Sequence, residues 1–419
     1  MKLTLRQQLT QFGHLLQSAL FPVLEEQVGP LSESAKRLVA TLEMIPLARF
    51  IPASRGWIGR PSKDRDAIAR AFVAKAVYGF SMTRQLLEAL QRDAQLRRIC
   101  GWETAGQVPH ESTFSRAFEE FAQMELPQFV HAALIQETHK DRLIGHVARD
   151  STAIEAREHY PESPPKEAKG KTIPPQEILF DAGPAPSPAP KAVPEPAPRV
   201  PRKRGPKRGR RGAHKRWKGG KPRPALPEGT RLQRQRTMSL PEMLADLPQK
   251  CDLGGKKNSH GNTQYWRGYK LHMDVVDGQI PISALLTSAS VHDSQAAIPL
   301  MTMSSQRVTY CYELMDSAYD ARHITEHSRG MGHVPIVDPP ERGRKEKDTT
   351  LPNTQRQLSW AEADRYKERT MIERVNGRLK DEFGGRYVRV RGAAKVMAHL
   401  MFGVLALTAD QLLRLGSAI

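Results

Sequence analysis

Four residues of one amphipathic stretch have the types and the spacing to bind metal ions and phosphate. The stretch runs from residue 366 to residue 380, and the four residues are Tyr366, Arg369, Glu373 and Lys380. On a helix, at about 100° per residue, they share one stripe about 60° wide. A carboxylate can hold a divalent metal, whereas cations and a phenolic hydroxyl can hold phosphate oxygens. An ordinary solvated helix face is the alternative interpretation.

This spacing is the Y-R-E-K pattern, and with it the chain resembles the DDE transposases of bacterial insertion sequences. The resemblance implies an enzyme that binds the ends of an insertion sequence, cleaves them and joins the 3′ hydroxyls to target DNA. It implies that Glu373 is the third metal-binding carboxylate, on a helix beside an RNase H-like sheet. It also implies that Tyr366, Arg369 and Lys380 hold phosphates near the cleaved end.

Two aspartates are candidates for the rest of a catalytic DDE set. Asp150 ends a predicted strand over 143–150 and begins the family-like DST sequence, although an Asp that starts a turn is the alternative. Asp316 ends the predicted strand 308–315 in the family-like sequence MDSAYDA. Asp293 is the competing second acid, but an Asp that opens a helix is most often an N-cap. Asp320 is an outside possibility.

Three carboxylates suit phosphodiester hydrolysis by two divalent ions. Two ions can activate the attacking water and stabilise the leaving oxygen, and hard oxygen ligands select Mg²⁺ or Mn²⁺. We therefore expect Asp150, Asp316 and Glu373 to be both the metal ligands and the catalytic residues. The three cysteines lie far apart and form no zinc-binding spacing.

The composition favours a nucleic-acid partner. Among 419 residues, 64 Lys and Arg outweigh 45 Asp and Glu, which gives a formal charge of +19. Such an excess favours polyanions, with nucleic acid first and anionic membrane second. The N-terminus has no uninterrupted apolar core, and the longest apolar run is too short to span a bilayer. We therefore expect a cytoplasmic protein without membrane attachment that associates with the bacterial nucleoid on DNA.

The chain divides into four predicted segments. Residues 1–140 have helical periodicity and predict a helix-turn-helix-like DNA-binding domain, which also resembles the N-terminal domain of these transposases. Its expected DNA contacts are Ser112, Thr113, Ser115 and Arg116, and a purely structural bundle is the alternative. Residues 141–160 begin the catalytic domain, 161–257 form a Pro-, Lys- and Arg-rich insertion, and 258–419 complete the catalytic domain.

The insertion predicts a disordered segment. Residues 199–223 carry thirteen Lys or Arg and no acid, so this stretch cannot bury a core. A flexible tether to the DNA backbone is one interpretation, and a tolerated insertion in a surface loop is the other.

The fold class that follows is an α-helical N-terminal domain plus an α/β RNase H-like catalytic domain. Strands predicted at 265–276 and 280–288 flank Asp277-Gly278, which is a hairpin signal. Alternation of further strands and helices predicts a mixed sheet. We expect Trp360 to be a core anchor, with stacking on an extruded base as the alternative.

We expect the transposase to act on double-stranded DNA as a homodimer in the synaptic complex. Two other functions are alternatives to this prediction. One is a catalytically silent DNA-binding protein derived from a transposase. The other is a tyrosine recombinase, because His139-Lys140-Asp141-Arg142 matches H-x-x-R. That tetrapeptide is a weak signal, and the recombinase needs no metal.

Overall fold

A computed structural model describes residues 4–51, 63–140, 142–158, 229–257, 262–338 and 358–417. They belong to one compact unit formed by Met1–Tyr160 and Gly229–Ile419. A second unit, Pro161–Glu228, lies outside the described residues. The disorder predicted for the insertion therefore falls, up to Glu228, on residues whose structure is not described.

The N-terminal segment is helical, as its apolar periodicity predicts. Its eight α-helices in the described residues are α1 Leu5–Leu15, α2 Phe21–Val28, α3 Glu33–Met44, α4 Arg65–Val77, α5 Thr83–Arg92, α6 Ala94–Cys100, α7 Glu111–Gln123 and α8 Leu126–His139. Side-chain caps begin several of them, such as Ser32 before α3 and Asp64 before α4. Each cap oxygen accepts an N–H that has no partner inside its helix.

The remainder of the described chain combines six strands with seven helices. The strands are β1 Leu143–Glu155, β2 Asp252–Lys257, β3 Thr263–Val276, β4 Ile280–Ser288, β5 Thr309–Met315 and β6 Val334–Val337. The helices are α9 Arg231–Gln235, α10 Leu240–Asp246, α11 Ala297–Ser305, α12 Arg322–Gly330, α13 Trp360–Tyr366, α14 Thr370–Asp381 and α15 Ala393–Ser417.

The six strands form one mixed sheet in the order β2-β3-β1-β5-β6, and β4 also pairs with β3. Strand β1 is antiparallel to β3 and parallel to β5, and β5 is parallel to β6. The predicted hairpin is confirmed as β3 and β4, which join through the turn at Asp277-Gly278. This order, with helices on both faces, is that of an RNase H-like fold, so the predicted fold class is confirmed.

The prediction of disorder is wrong for the last part of the insertion, residues 229–257, which form α9, α10 and β2. Tertiary contacts order this stretch. Arg231 and Arg234 both pair with Asp246, at 2.7 and 3.3 Å, and Leu247 is buried against Leu285. The polar composition of the stretch hides these contacts, because each pairs residues that are distant along the chain.

Helix α15 is the centre of the core. It packs against α1, α4, α7 and α8 on one side and against β4 and α14 elsewhere. By length and composition Ala393–Gly416 could cross a membrane, but 83% of its apolar window is buried inside the protein. One continuous hydrophobic cluster includes residues of the N-terminal helices, the sheet, α14 and α15. The helix is therefore the shared core of the N-terminal helices and the sheet.

A buried ionic cluster lies between β1 and its two neighbouring strands. Arg149 is fully buried, its Nη2 donates to Asp274 Oδ2 at 2.7 Å, and its Nη1 lies 3.6 Å from Glu313 Oε2. Ser304 donates to the same Asp274 oxygen at 2.6 Å, and Tyr310 donates to Glu313 at 2.6 Å. The pKa of Glu313 falls to about 2. Burial alone would raise this pKa, but Arg149 and the groups that donate hydrogen bonds to Glu313 lower it by more. One cation thus links three strands.

Replacing Arg149 by Met should strongly destabilise the protein. The change leaves two buried carboxylates without their cation, which costs about 3–5 kcal/mol of unfolding free energy at pH 7. The loss should shrink as the pH falls from about 4.5 towards about 2, because the wild type then loses the stability that Glu313 gains from its lowered pKa, whereas the carboxylates stranded in the variant are already protonated. Urea unfolding at several pH values measures both effects.

The matched control is Arg84→Met, which removes an exposed ion pair with Glu88. Exposed pairs contribute about 0–1 kcal/mol, so this variant should unfold nearly like the wild type. Equal losses for the two variants would show that the Arg149 cluster does not hold the strands together.

Candidate active site

Asp150 lies within β1, and Asp316 directly follows the adjacent strand β5. In the parallel pairing of β1 with β5 the last register pair is Arg149 with Met315, so Asp150 and Asp316 each follow it by one residue. The prediction that Asp150 ends its strand is wrong, because β1 continues to Glu155 in antiparallel pairing with β3. Beyond Arg149, however, β1 has no β5 beside it. The carboxylate therefore faces a cleft although it lies within a strand.

Burial and a nearby carboxylate raise the pKa of each aspartate, and that carboxylate is Asp316 for Asp150 and Asp293 for Asp316. Burial raises the pKa of Asp150 to about 6, and the nearby Asp316 carboxylate adds to this shift. Burial also raises the pKa of Asp316, although the Ala318 N–H donates to it at 3.0 Å and opposes the shift. Arg369 and Lys256 lower both pKa values. Asp150 and Asp316 are thus within electrostatic range of the same two cations.

Glu373 lies in the first turns of α14, as its spacing predicts, but its carboxylate contacts a cation. Arg369 Nη2 donates to Glu373 Oε1 at 2.6 Å. The Arg369 side chain is only 20% exposed and that of Glu373 is 53% exposed. Because Arg369 also interacts electrostatically with Asp150 and Asp316, this guanidinium links the helix to the two strand acids.

The predicted single helix from 366 to 380 is interrupted. Helix α13 ends at Tyr366, a 3₁₀ turn spans Lys367–Arg369, and α14 then begins. The guanidinium carbon of Arg369 still lies 5.7 Å from the centre of the Tyr366 ring. Lys380 is half-buried at the other end of α14, where burial, and then Arg386 and Lys256, lower its pKa. The four residues therefore remain on one side of the α13–α14 segment.

Helix α14 is fixed by contacts on its far side. Arg378 donates to Asp410 Oδ2 at 2.5 Å and to Glu382 at 3.0 Å, and Asp410 also accepts from Arg37 at 2.7 Å. A Cβ at position 403 of α15 would lie 2.7 Å from the Phe383 carbonyl oxygen, so only glycine allows this close approach. These contacts fix the position of α14, and with it the positions of Glu373 and Arg369, relative to the sheet.

Asp293 is not the N-cap that its position predicts. His292 caps the 3₁₀ turn, because its side chain accepts from the Ser294 N–H. Asp293 instead accepts from Lys270 Nζ at 2.9 Å and interacts with the Ser151 hydroxyl. Ser151 neighbours Asp150 on β1, and Asp293 also lies near Asp316, whose pKa it raises, and near Tyr319.

Sequence reasoning missed two residues near the acids. Lys256, on the edge strand β2, interacts electrostatically with Asp150, Asp316 and Lys380. Tyr319 is fully buried beside Asp150, Asp316 and Asp293, and its hydroxyl has no hydrogen-bond partner among the described residues. The only available signal was the MDSAYDA sequence, which contains Tyr319. Lys256 lay in the stretch that was predicted to be disordered.

Trp360 is not a core anchor. It is the first residue of α13, and 84% of it is exposed. The prediction failed because the sequence shows an isolated Trp after a polar segment without showing which face of α13 packs. Because the Trp360 ring is exposed, stacking on a base stays a prediction for this residue.

The residues expected to contact DNA in the N-terminal segment lie on α7. Ser112, Ser115 and Arg116 are exposed and Thr113 is partly exposed. Arg116 Nε donates to the Ser112 carbonyl oxygen at 3.2 Å. The first turns of α7 therefore offer a polar face to solvent.

The H-x-x-R residues do not form a surface site. His139 is 4% exposed, and burial lowers its pKa to about 4. Its Nδ1 lies 2.7 Å from the Thr138 hydroxyl. A buried neutral histidine cannot contact a DNA phosphate, so the geometry disfavours a tyrosine recombinase.

The donor set fits a hard divalent cation in part. Among the described residues, no group of three or more His, Cys, Asp and Glu side chains is placed to hold a metal ion. Asp150 and Asp316 supply oxygens whose mutual repulsion a cation would relieve. The partnerless Tyr319 hydroxyl marks a place for a further polar ligand. Glu373 completes the set only after it exchanges Arg369 for the metal.

Arg369→Gln should raise the affinity of the DNA-free protein for Mn²⁺ by about 2- to 5-fold. The change removes the cation that competes for Glu373, and a partly exposed ion pair contributes up to about 1 kcal/mol. Titration calorimetry with Mn²⁺ measures the effect. Arg365→Gln is the matched control, because Arg365 stacks on Tyr312 at 4.6 Å. A lower affinity in Arg369→Gln would contradict the competition.

The comparisons with known proteins agree with this geometry. The model of a transposase DDE domain matches residues 228–409, and that of a second transposase domain, DUF772, matches residues 25–120. The first match contains Asp316 and Glu373, whereas Asp150 lies in neither matched range. Searches of curated proteins and of solved structures found no match. With transposase domains on both sides of the insertion, the chain belongs to the DDE transposases of the insertion-sequence type.

Proposed function

We propose that the protein binds the ends of an insertion sequence, hydrolyses a phosphodiester bond there and joins the resulting 3′ hydroxyl to target DNA. One observation carries the proposal. Asp150 and Asp316 occupy equivalent positions after the last register pair of β1 and β5, although the insertion separates them in sequence. Glu373 is linked to both acids through Arg369.

Asp150, Asp316 and Glu373 would hold Mg²⁺ or Mn²⁺, expected as two ions. When bound, such ions supply an activated nucleophile and neutralise charge on the phosphate. The chain itself partly buries Asp150 and keeps the acids rigid through the Arg149 cluster on the other face of β1. The raised pKa of Asp150 means that protons compete for this carboxylate near pH 6.

The cations around the acids would position the DNA end. Once Glu373 no longer pairs with Arg369, the Arg369 guanidinium could donate a bidentate hydrogen bond to a phosphate. Tyr366 lies beside Arg369. Lys380 and Lys256 interact with each other electrostatically on the same side, so they would extend the contact along the strand. Trp360, exposed at the start of α13, would stack on a displaced base.

The N-terminal helices would supply recognition of the element's ends. Ser112, Thr113, Ser115 and Arg116 on α7 are the proposed contacts, as in other helices that present their first turns to a groove. Pairing two ends requires two active sites, so we propose a homodimer in the synaptic complex. The acting form would be cytoplasmic and bound to the nucleoid DNA.

A catalytically silent DNA-binding protein is the second candidate. The Arg369–Glu373 pair and the absence of a three-carboxylate metal group among the described residues favour it. The decisive test incubates the purified protein with DNA from its own element's ends, with Mg²⁺ or with EDTA. Cut and joined products with Mg²⁺ alone support the transposase, whereas tight binding without products supports the silent protein.

Asp150→Asn, Asp316→Asn and Glu373→Gln should each lower single-turnover nicking by more than about 100-fold. Each change removes one anionic ligand, whereas the contacts of α7 with DNA remain, so binding of end DNA should change little. Gel-shift and nicking assays on the same DNA separate the two steps.

Asp364→Asn is the control, because Asp364 is an exposed acid on α13 that pairs with Lys367. Asp293→Asn and Asp320→Asn test the competing assignments of the second acid. Nicking that survives Asp316→Asn but is lost in Asp293→Asn would show that the second acid is Asp293.

Deleting residues 184–223 should weaken non-specific DNA binding and flatten its dependence on salt. The deletion removes residues 199–223, which carry thirteen cations and no acid, and each phosphate contact releases counterions. The described unit lies wholly outside the deletion, so nicking of saturating end DNA should persist. An unchanged salt slope together with lost nicking would instead assign the insertion to the active site.

A further inference from the structure

A second basic site lies away from the acids, in a pocket of about 390 Å³ among the N-terminal helices, the end of β1 and the start of α15. Five cations line it, and four of them are Lys75, Arg157, Arg389 and Arg391. The side chains of these four have no hydrogen bond or ion pair among the residues that the structure describes. The fifth, Lys395, pairs with Glu119 at 2.9 Å, and one carboxylate, Glu111, also lines the pocket.

Lys75 is the buried member of this set. It is 8% exposed on α4, and Phe72, Phe118 and His399 line the same pocket. Burial lowers its pKa to about 8, and no carboxylate opposes that shift. An ammonium group buried without a counter-ion is unfavourable, so the site has charge that an incoming anion would neutralise.

The walls of the pocket are tied together. Glu158 accepts from the Gly392 N–H at 2.7 Å and from the Tyr269 hydroxyl at 2.8 Å. These bonds fix the segment that carries Arg157 next to the segment that carries Arg391. Two arginines and a buried lysine around one cavity match the tetrahedral oxygens of a phosphate group, for which guanidinium is the preferred partner.

We propose that this pocket binds a backbone phosphate of the same DNA that is cut at Asp150, a proposal that rests on the function proposed above. The chain leads from both acid-bearing elements to the pocket, because Arg157 lies two residues after the end of β1 and Arg389 lies eight residues after the end of α14. Seven residues at about 3.3 Å each place Arg157 at most about 23 Å from Asp150, which is about seven base pairs of duplex at 3.4 Å per pair.

The position of α7 supports duplex DNA as the occupant. Ser115, on the exposed face of α7 that is predicted to contact DNA, lines the pocket as well. A duplex that runs from α7 to the acids therefore passes the four cations. The pocket would act as a clamp that fixes the distance between the recognised sequence and the cleaved bond.

The test uses the full-length protein and end DNA in which single phosphates are replaced by neutral methylphosphonates. For the wild type, one internal position within about seven base pairs of the cut should weaken binding. In Arg391→Gln, binding should fall by about 3- to 30-fold, the salt slope should fall by about one phosphate contact, and that methylphosphonate should lose its effect.

Arg329→Gln is the matched control, because Arg329 is an exposed cation on α12 whose side chain has no hydrogen bond or ion pair among the described residues. Lys75→Met retains the apolar stem, so it should weaken DNA binding while the protein stays folded. Retained sensitivity to the same methylphosphonate in Arg391→Gln overturns the proposal.

Adding inorganic phosphate distinguishes a pocket that binds the DNA backbone from one that binds a free anion. If phosphate raises the melting temperature of the wild type but not of Arg391→Gln, and DNA binding is equal in both, the pocket holds a small anion and the proposal is wrong. The same assays test the proposed function separately. If the wild type shows the methylphosphonate effect but does not cut the DNA, the phosphate clamp is supported and the proposed catalysis is wrong.

Discussion

The register of β1 depends on the buried cluster of Arg149, Asp274 and Glu313. Successive residues of a strand point to opposite faces, so a shift by one residue would place Asp150 in the cluster and Arg149 in the cleft. Such a shift would leave the buried Asp274 and Glu313 without their cation and add a third carboxylate to them, which is far more costly than an exposed mismatch. The cluster is therefore the constraint that fixes Asp150 beside Asp316, and the chemistry of the cleft follows from the packing beneath it.

This constraint explains how the fold tolerates its insertion. The chain leaves the sheet after β1 and returns through α9, α10 and β2, whose Arg231–Asp246 and Leu247–Leu285 contacts fix the return. The entropy cost of closing a longer loop grows only slowly with its length. Once Arg149 holds β1 between β3 and β5, a long excursion after the strand leaves the positions of the two acids unchanged.

The sequence predicted those parts of the fold that local patterns determine. Alternation and a turn signal gave the β3–β4 hairpin, an apolar run gave the strand that ends before Asp316, and helical spacing gave Glu373. The errors share one physical origin. Each error depends on which distant element packs against the residue, and this cannot be read from the periodicity or composition of the sequence. This holds for the place of Asp150 within a strand, for the role of Asp293 as a cap and for the burial of Trp360.

For the proposed function, the candidate site must accommodate two ligands of opposite charge. Its carboxylates would hold divalent cations, and its cations would hold the phosphates of DNA. Arg369 takes part in both sets, because it contacts Glu373 directly and interacts with Asp150 and Asp316. In the DNA-free protein the opposite charges satisfy each other, which keeps an anionic cleft from repelling DNA. Arrival of metal and phosphate together would exchange the internal ion pair for two external ones. Coupling of this kind favours an assembled site only when both ligands are present.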